Sequence, residues 1–308
     1  MTARPPACRL CRKNRLSCLG AIPDSDFFAG RVLERPIPGG ELWRCDACGS
    51  MFRHPVLAPE TYSRLYTAGA ADVWSTESAR NDLNEIRAQI SRRSSVQSVL
   101  DVGCSVGNFL LTLPHSVRKC GVEPSTAAAA AATQAGICIA GHTLEDLRPD
   151  ALFDVITVID VIEHVADPLG LLDQAAAHLS PGGTLIVATG NPEYFLWRRV
   201  FRSRFWYSSF PEHITFPSMQ AFEIWGRRHR LLPPTAVPVR YWAVPLWMKS
   251  AYLTQMAVFL VSPNLLSLVG RSVERLRGGA PPHRRRFSPG APGVFTDHQV
   301  ISFIRPPI

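Results

Sequence analysis

Short apolar runs alternate with helical stretches between Val96 and about residue 242. This alternation is typical of a parallel sheet whose strands are joined by helices. The run at 153–159 is apolar at successive positions, as a strand buried on both faces must be. Together the runs and helices predict an α/β fold with a Rossmann-like, doubly wound sheet.

Residues 1–58 depart from this pattern, because they are rich in Cys, Pro and Gly and hold few long apolar runs. The segment contains two Cys-x-x-Cys pairs, Cys8 with Cys11 and Cys45 with Cys48, and two spare candidate ligands, Cys18 and His54. Four thiolates suit a tetrahedral Zn²⁺ and leave no open position for chemistry. The pairs predict a small zinc-ribbon-like module with a structural metal; unrelated free thiols are the alternative.

Charge is distributed unevenly along the 308 residues. The net charge is +8, of which residues 195–308 carry +12 and the first 194 residues carry −4. A basic C-terminal third suggests an anionic partner, such as nucleic acid, a membrane surface or a phosphorylated substrate; a solvated basic face is the alternative. The first six residues lead into no apolar signal segment, so we expect a cytoplasmic protein whose cysteine pairs bind metal.

A Gly-rich turn follows the predicted strand at 98–102. Gly103 and Gly107 let a ligand approach the main chain where a Cβ would collide, and the next helix begins with free backbone N–H groups. Glu123 ends the following strand about twenty residues later, where its carboxylate can accept both ribose hydroxyls. The pattern predicts a crevice for a nucleotide-type cofactor, a feature shared by nicotinamide, flavin and methyltransferase sites.

Four motifs in this order resemble the class I S-adenosylmethionine methyltransferases. They are the segments Asp101–Phe109, Gly121–Ser125, Leu152–Thr157 and Ser180–Leu185. Ser105 stands where this family more often has the middle glycine of its first motif, a place that a small serine can occupy. The resemblance implies S-adenosyl-L-methionine as the cofactor, with another nucleotide as the alternative.

The same resemblance implies roles for individual residues. Asp101 would contact the amino-acid end of the cofactor, and the Gly103–Gly107 backbone would pass beneath its methionine moiety. Thr143 and Leu144 stand where the family places its adenine contacts. Asp160 ends the fourth strand and is expected to face the same crevice.

The family also ends its sheet with an antiparallel final strand. A sixth strand is expected at 236–244 and a seventh at 300–304, with helices at about 246–260 and 264–277 between them. The predicted domains are a zinc module at 1–58, a helical connector at 59–95, a methyltransferase domain at 96–244 with 296–308, and a helical, basic insertion at 245–295.

Two histidines are the candidate bases on the acceptor side. Methyl transfer from a sulfonium is an in-line displacement, in which the protein aligns the nucleophile and removes its proton. His164 lies in a Glu-His segment that resembles ubiquinone-type methyltransferases. His213 lies in a segment that resembles the Pro-x-His-x-x-Phe of relatives acting on small molecules and on sugar- or lipid-linked intermediates. A purely structural role is the alternative for each, and the aromatic stretch at 191–207 is expected to wall or cover the pocket.

The sequence therefore predicts O- or C-methylation of a small-molecule, sugar or lipid-linked acceptor by a cytoplasmic enzyme, with peripheral contact to the inner face of the membrane. Methylation of rRNA or tRNA is a second hypothesis, since zinc modules and basic surfaces also occur there. Nucleic acid is the less favoured partner, because the basic third lies opposite the cysteine end of the chain and no Asn-Pro-Pro-Tyr-type motif follows the fourth strand. A cofactor-binding adaptor is the third hypothesis; intact Gly103, Gly107 and Glu123 argue against it.

Overall fold

The computed structural model describes residue 5 and residues 7–29, 31–68, 80–262 and 295–307. The strands in this part of the chain are β1 (Leu16–Ala21), β2 (Ser25–Phe28), β3 (Arg31–Ile37), β4 (Glu41–Cys45), β5 (Met51–His54), β6 (Ser98–Val102), β7 (Arg118–Val122), β8 (Cys138–Gly141), β9 (Phe153–Ile159), β10 (Leu179–Gly190), β11 (Thr215–Phe216), β12 (Thr235–Val239) and β13 (His298–Ile304). The helices are α1 (Pro59–Ala68), α2 (Asn81–Ser91), α3 (Asn108–Leu111), α4 (Thr126–Gln134), α5 (Pro168–Ala177), α6 (Trp206–Ser209), α7 (Met219–Arg228) and α8 (Leu246–Val261).

The central sheet has the strand order β12-β13-β10-β9-β6-β7-β8. Strand β13 is antiparallel to both of its neighbours, β10 and β12. The remaining neighbours, from β10 across to β8, pair in parallel. The predicted Rossmann-like sheet, mostly parallel with an antiparallel final strand, is therefore confirmed.

Apolar layers cover both faces of this sheet, as the unbroken apolar runs require. All five residues of β6 are buried. On one face the sheet packs against α5 and α7, and on the other against α2, α3 and α4. In α/β folds of this kind, cofactors bind at the carboxyl ends of the parallel strands.

The end of the sheet differs in detail from the expectation. Strand β12 stops at Val239, which pairs with His298, the first residue of β13. Residues beyond Val239 have no partner strand to extend along, so the predicted continuation through residue 244 does not form. The helix expected at about 246–260 is present as α8, between β12 and β13. The helix expected at 264–277 falls outside the described residues.

A second sheet joins the cysteine-rich segment to the main domain. Its strand order is β1-β4-β5-β11, and β11 lies between β10 and α7 in the chain. Thr215 pairs with Phe52 and Phe216 with Met51. The N-terminal module and the main domain therefore share one sheet, which a boundary at residue 58 did not anticipate.

The aromatic stretch after β10 is part of this junction. Trp197 and Phe205 are fully buried and stack with ring centroids 4.8 Å apart, and Phe216 meets Trp197 edge-on at 4.9 Å. They pack with Leu42 of β4 and Met51 of β5. The stretch predicted as a wall or lid is thus largely a buried core between the two sheets.

The final strand should be a major source of stability. Phe303 is fully buried against Phe222 and Trp225, whereas the neighbouring Ile304 is 36% exposed. Phe303→Ala should lower the free energy of unfolding by about 3–5 kcal/mol, because it empties a closed site. The control Ile304→Ala should cost about 1 kcal/mol or less. Equal losses in urea unfolding of the two variants would contradict the importance of this strand.

Candidate cofactor and acceptor site

The turn after β6 has three residues in the left-handed region. The φ angles are +76° at Gly103, +50° at Ser105 and +82° at Gly107. This conformation costs a glycine nothing but costs a serine about 1–2 kcal/mol. The Ser105 N–H donates to Oε2 of Glu123 at 2.8 Å, so the buried carboxylate holds the serine in the glycine-like turn.

Glu123 fastens two loops together. Its second oxygen, Oε1, accepts the N–H of Ser125, also at 2.8 Å, at the start of α4. Each carboxylate oxygen has a further lone pair, so Glu123 can still accept hydroxyl groups from a ligand. Glu123, the predicted ribose-binding residue, therefore lies beside the Gly-rich turn and shapes it.

Asp101 lies within β6, buried below the turn. Its Oδ1 accepts the hydroxyl of Thr157 at 2.6 Å. Burial, together with the nearby charge of Glu123, raises the pKa of Asp101 to about 7. A positively charged group at this edge of the sheet would favour the ionised form, which suits the ammonium end of an amino-acid cofactor.

Gly107 has a different role from the one expected of it. A Cβ at this position would lie 2.8 Å from Cγ1 of Ile137 and 3.5 Å from Cβ of Ala132. Those atoms belong to the core beneath α4, not to an open crevice. Gly107 therefore permits close helix packing and the left-handed N-cap of α3, so a larger residue there would disturb the core rather than block a ligand.

Thr143 and Leu144 lie beyond β8, beside Glu123. Nδ1 of His142 donates to the main-chain carbonyl of Glu123 at 2.9 Å, which fixes this turn against the end of β7. Leu144 is buried and Thr143 is exposed, with its N–H on the carboxylate of Asp146 at 2.8 Å. The structure thus brings the predicted adenine and ribose residues together.

Asp160 follows β9 in a left-handed conformation, with φ +51°. Its Oδ2 lies 2.6 Å from Nη2 of Arg80 and accepts the Tyr241 hydroxyl at 3.1 Å. Arg80 also pairs with Asp82 and lies 4.2 Å from the centre of the Tyr241 ring. Arg80 and Tyr241 were not anticipated, because each is distant in sequence from Asp160 and lies in no motif.

Two buried oxygens near the carboxyl ends of β6 and β9 fit a polar ligand. Oγ of Ser105 and Oδ1 of Asp160 have no hydrogen-bond partner among the described residues. A buried polar group left unsatisfied costs about 1–3 kcal/mol. A bound ligand that supplies donors here would remove that cost, as the carboxyl-end crevice of an α/β sheet allows.

The acceptor side is built around the buried carboxyl group of Glu163, after β9. Thr189 donates to Oε2 of Glu163 at 3.1 Å, and the Tyr207 hydroxyl bonds Oε1. Tyr207 in turn accepts the N–H of Gly190 at 3.2 Å. Burial raises the pKa of Glu163 to about 8, so this group is largely protonated at neutral pH.

The two candidate bases lie side by side, with ring centroids 4.7 Å apart. The Tyr66 hydroxyl lies 3.0 Å from Nδ1 of His164, and a second bond joins the His164 ring to the main chain of Glu212. Nδ1 of His213 lies 2.8 Å from the carbonyl of Tyr207; a carbonyl only accepts, so Nδ1 carries the proton.

The two histidines therefore have different chemical capacities. Burial lowers the pKa of His164 to about 4 and that of His213 well below its ordinary value, so both rings are neutral near pH 7. Ligand atoms of Glu163, His164 and His213 lie within 4.8 Å of one another. Because Nδ1 of His213 carries the hydrogen, the lone pair of this neutral ring lies on Nε2.

The four predicted zinc ligands converge at one point. Their sulfur atoms all lie within 4.8 Å of one another, with 3.7 Å between Cys8 and Cys48 and 3.5 Å between Cys11 and Cys45. A tetrahedral zinc with Zn–S bonds of about 2.3 Å places its sulfurs about 3.8 Å apart. The cluster therefore fits a zinc ion, and Cys18, exposed on β1, lies outside it.

Comparison with known proteins supplies the family. The methyltransferase-domain family matches residues 76–229, half of the chain. The chain belongs to this family. The resemblance carried by the four sequence motifs is thereby confirmed.

Two curated relatives are ubiquinone biosynthesis O-methyltransferases. The protein from Bradyrhizobium sp. (strain ORS 278) is 35% identical over 102 residues, which is 30% of this chain and 40% of the relative. The protein from Sodalis glossinidius is 32% identical over 111 residues, 33% of this chain and 44% of the relative. This chain thus spans less than half the length of the curated relatives it matches.

Among solved structures, a methyltransferase from Thermotoga maritima described as a possible histamine N-methyltransferase aligns with 73% of this chain and 89% of its own length, at 20% identity and a TM-score of 0.44. A SAM-dependent methyltransferase from Archaeoglobus fulgidus aligns with 80% of this chain and its full length, at 14% identity and a TM-score of 0.45.

The buried carboxyl of Glu163 should make stability depend on pH. Its folded pKa of about 8 lies above the ordinary value of 4.5, so its stabilising effect is full below about pH 4.5 and is lost as the pH rises through about 8. Glu163→Gln imitates the protonated acid and does not titrate. The free energy of unfolding should therefore fall less steeply with pH in this variant, by up to about 1.4 kcal/mol per pH unit. Glu145→Gln, on the surface, is the control. Urea unfolding from pH 5 to pH 8.5 with equal slopes for wild type and Glu163→Gln would refute this account.

Proposed function

We propose that the protein transfers a methyl group from S-adenosyl-L-methionine to oxygen or carbon of a small-molecule, sugar or lipid-linked acceptor. The observation that carries the proposal is the left-handed turn at Gly103 and Ser105, held by the Glu123 carboxylate at the carboxyl end of the sheet. The family match supports it. The ubiquinone O-methyltransferases among the relatives favour a small-molecule acceptor over RNA.

The cofactor, when bound, supplies an electrophilic methyl group on a sulfonium with a good leaving group. Asp101 would hold its ammonium end, Glu123 its ribose, and Leu144 with Thr143 its adenine. On the acceptor side, Nε2 of His213 would take the proton of a hydroxyl or acidic carbon, since its other nitrogen is held in the protonated form by Tyr207. His164 would position the ring of His213, which it meets edge-on.

Cofactor binding provides the direct test. Glu123→Gln should make the binding free energy of S-adenosylhomocysteine less favourable by about 1–3 kcal/mol, because a charge-assisted acceptor is replaced by an amide. Glu85→Gln, which removes a carboxylate on α2, should bind S-adenosylhomocysteine as the wild type does. Calorimetric titration measures both. The site assignment fails if wild type and Glu123→Gln have the same affinity, and the function fails if the wild type does not bind. Screening nucleotide sugars, glycans, quinones and RNA with labelled cofactor would then identify the acceptor.

We also propose a structural zinc ion held by Cys8, Cys11, Cys45 and Cys48. Three of these thiols are fully buried, where an assembly of free thiols would gain little and a metal would fix the loops. Elemental analysis should find about one zinc per chain in the wild type and none in Cys48→Ser. The control Cys18→Ser should keep its zinc. A metal-free wild type with an intact thermal transition would refute the site.

For location, we propose that the enzyme works at the cytoplasmic face of a membrane, bound through α8. Within the described ranges, no helix is long and apolar enough to cross a bilayer. The outer side of α8 is nevertheless apolar: Trp247 is 69% exposed and Val261 is 85% exposed. On its inner side, Phe259 packs against Phe201, whose segment also carries the exposed cations Arg199, Arg202 and Arg204. Apolar side chains beside arginines suit an anionic bilayer surface.

Vesicle sedimentation checks this location. The wild type should bind vesicles that contain phosphatidylglycerol and bind less to pure phosphatidylcholine, because both apolar burial and charge contribute. The double change Trp247→Ser with Leu253→Ser should lower binding by about tenfold or more, since two exposed apolar groups are lost. Leu152→Ser is the control, because it removes an exposed leucine that lies outside α8, just before the amino-terminal end of β9. Unchanged binding of the double variant would exclude α8 as the contact.

A further inference from the structure

Arg53 lies on β5 with only 3% of its surface exposed, and its side chain reaches four main-chain carbonyls. Nη1 donates to Gly39 at 2.5 Å, and Nη2 donates to Ser208 at 2.9 Å and to Phe210 at 2.8 Å. Nε donates to His213 at 3.3 Å. Three of the four carbonyls belong to the segment 207–213, which carries the candidate base and is called the histidine turn below.

The histidine turn is closed from two sides. From within, Nδ1 of His213 donates to the carbonyl of Tyr207, which joins the two ends of the turn. From outside, the guanidinium of Arg53 holds the carbonyls of Ser208 and Phe210, between those ends, and that of His213 itself. A planar fork with five N–H donors can hold this set, whereas an ammonium on a flexible stem cannot.

Strand pairing does not account for a buried charge at this position. The backbone N–H of Arg53 donates to Ile214 at 2.9 Å, and the next pairs are Phe52 with Thr215 and Met51 with Phe216. Any residue at position 53 could make the same ladder bond. Burial lowers the pKa of Arg53 to about 10, which reports the cost of removing a guanidinium from water. What the side chain adds is the geometry of the histidine turn.

The strand that carries Arg53 is itself fixed by the cysteine cluster. Cys45 donates its N–H to the carbonyl of Ser50 at 2.8 Å, which closes the second Cys-x-x-Cys turn just before β5. The Ser218 hydroxyl bonds the carbonyl of Cys48, and its N–H donates to Oγ of Ser50 at 3.0 Å. The cluster is thus bonded both to the start of β5 and to Ser218, the N-cap of α7, which lies just after β11.

We propose that Arg53 is a positioning residue for the acceptor-side base, through which the N-terminal cysteine module sets the orientation of His213. The inference rests on the proposed function, because it assigns His213 the role of base. Its consequence is that the module is a part of the acceptor site and not a separate recruitment domain. Loss of the fork would release the histidine turn and with it the fixed Nδ1–H form of the ring, while β6 and Glu123 would remain in place.

Arg53→Lys tests this, with Arg305→Lys as the matched control. Arg305 also donates to main-chain carbonyls, those of Leu179 and Ala176, but these lie at the amino-terminal end of β10, away from the histidine turn. Amide hydrogen exchange by mass spectrometry should show residues 205–216 exchanging about tenfold faster or more in Arg53→Lys, because their carbonyl restraints are lost. Peptides that cover β6 and β9 should be unchanged. Arg305→Lys should leave residues 205–216 as in the wild type.

The ring of His213 provides a second readout, which a general loss of stability would not produce. Histidine-labelled protein should show neutral rings with the proton on Nδ1, among them those of His142 and His178, whose Nδ1 atoms also donate to carbonyls. The His213 ring should give a further signal of this form, assigned by its absence from His213→Asn. In Arg53→Lys that signal should shift towards the common Nε2–H form, and its titration should move up towards a pKa of about 6.5. S-adenosylhomocysteine affinity should stay within about twofold of wild type, because the cofactor turn makes no contact with Arg53.

Three results would overturn the proposal. The first is that Arg53→Lys changes neither the amide exchange nor the His213 signal. The second is that Arg305→Lys has the same effect as Arg53→Lys. The third is that faster exchange extends to β6 and β9, because Arg53 would then be an ordinary stability residue. Failure of the proposed function has a separate signature. If the wild type does not bind S-adenosylhomocysteine, the methyltransferase assignment falls, whereas the exchange and ring measurements still decide whether Arg53 orders the histidine turn.

Discussion

The buried carboxyl group of Glu163 joins the parts of the protein that meet at the acceptor side. Its side chain accepts from Thr189, at the end of β10, and bonds Tyr207, in the histidine turn. Its main-chain carbonyl accepts the N–H groups of Ile214 and Thr215, at 2.8 and 3.2 Å. Glu163 alone therefore bonds the end of β10, the histidine turn and the strand β11. A buried carboxyl is tolerated here because its oxygens have partners and because burial keeps it protonated.

From that point the two sheets become interdependent. Strand β11 starts directly after the histidine turn and completes the sheet of the cysteine-rich segment. The aromatic rings of the preceding stretch fill the space between them, with Trp197 and Phe205 fully buried. A cysteine-rich module whose last strand is supplied by the methyltransferase-family domain cannot reorient as a tethered unit can. Its rigidity is transmitted to whatever the strand and its flanking turn carry.

The carboxyl ends of the parallel strands collect the polar chemistry. The turn held by Glu123 follows β6, and Asp160 with its partner Arg80 follows β9. The histidines lie close to Glu163 in surroundings that keep their rings neutral. A neutral imidazole has a lone pair with which it can accept a proton from an uncharged nucleophile, and the ring then becomes an imidazolium. The polar groups at the carboxyl ends of β6 and β9 are thus consistent with methyl transfer.

Local pattern determined much of this protein. The strands, the Gly-rich turn, the acid at Glu123 and the two Cys-x-x-Cys pairs are readable because each depends on neighbours within a few residues, through burial period, backbone φ or metal-ligand spacing. The antiparallel final strand followed from family resemblance, since a short apolar run at 300–304 does not by itself specify its partner.

Only the tertiary structure decided what those parts do to one another. Arg53, Arg80, Tyr207 and Tyr241 carry no motif, and each has a partner far away in the sequence. Arg53 bonds His213, Arg80 and Tyr241 bond Asp160, and Tyr207 bonds Glu163. Gly107 was predicted as a ligand contact, and the structure adds that it is a packing position against Ile137. Sequence spacing specifies bonds within a turn of helix or along a strand. Bonds between distant segments depend on which strands become neighbours, and the free energy that selects those neighbours is spread over the whole core.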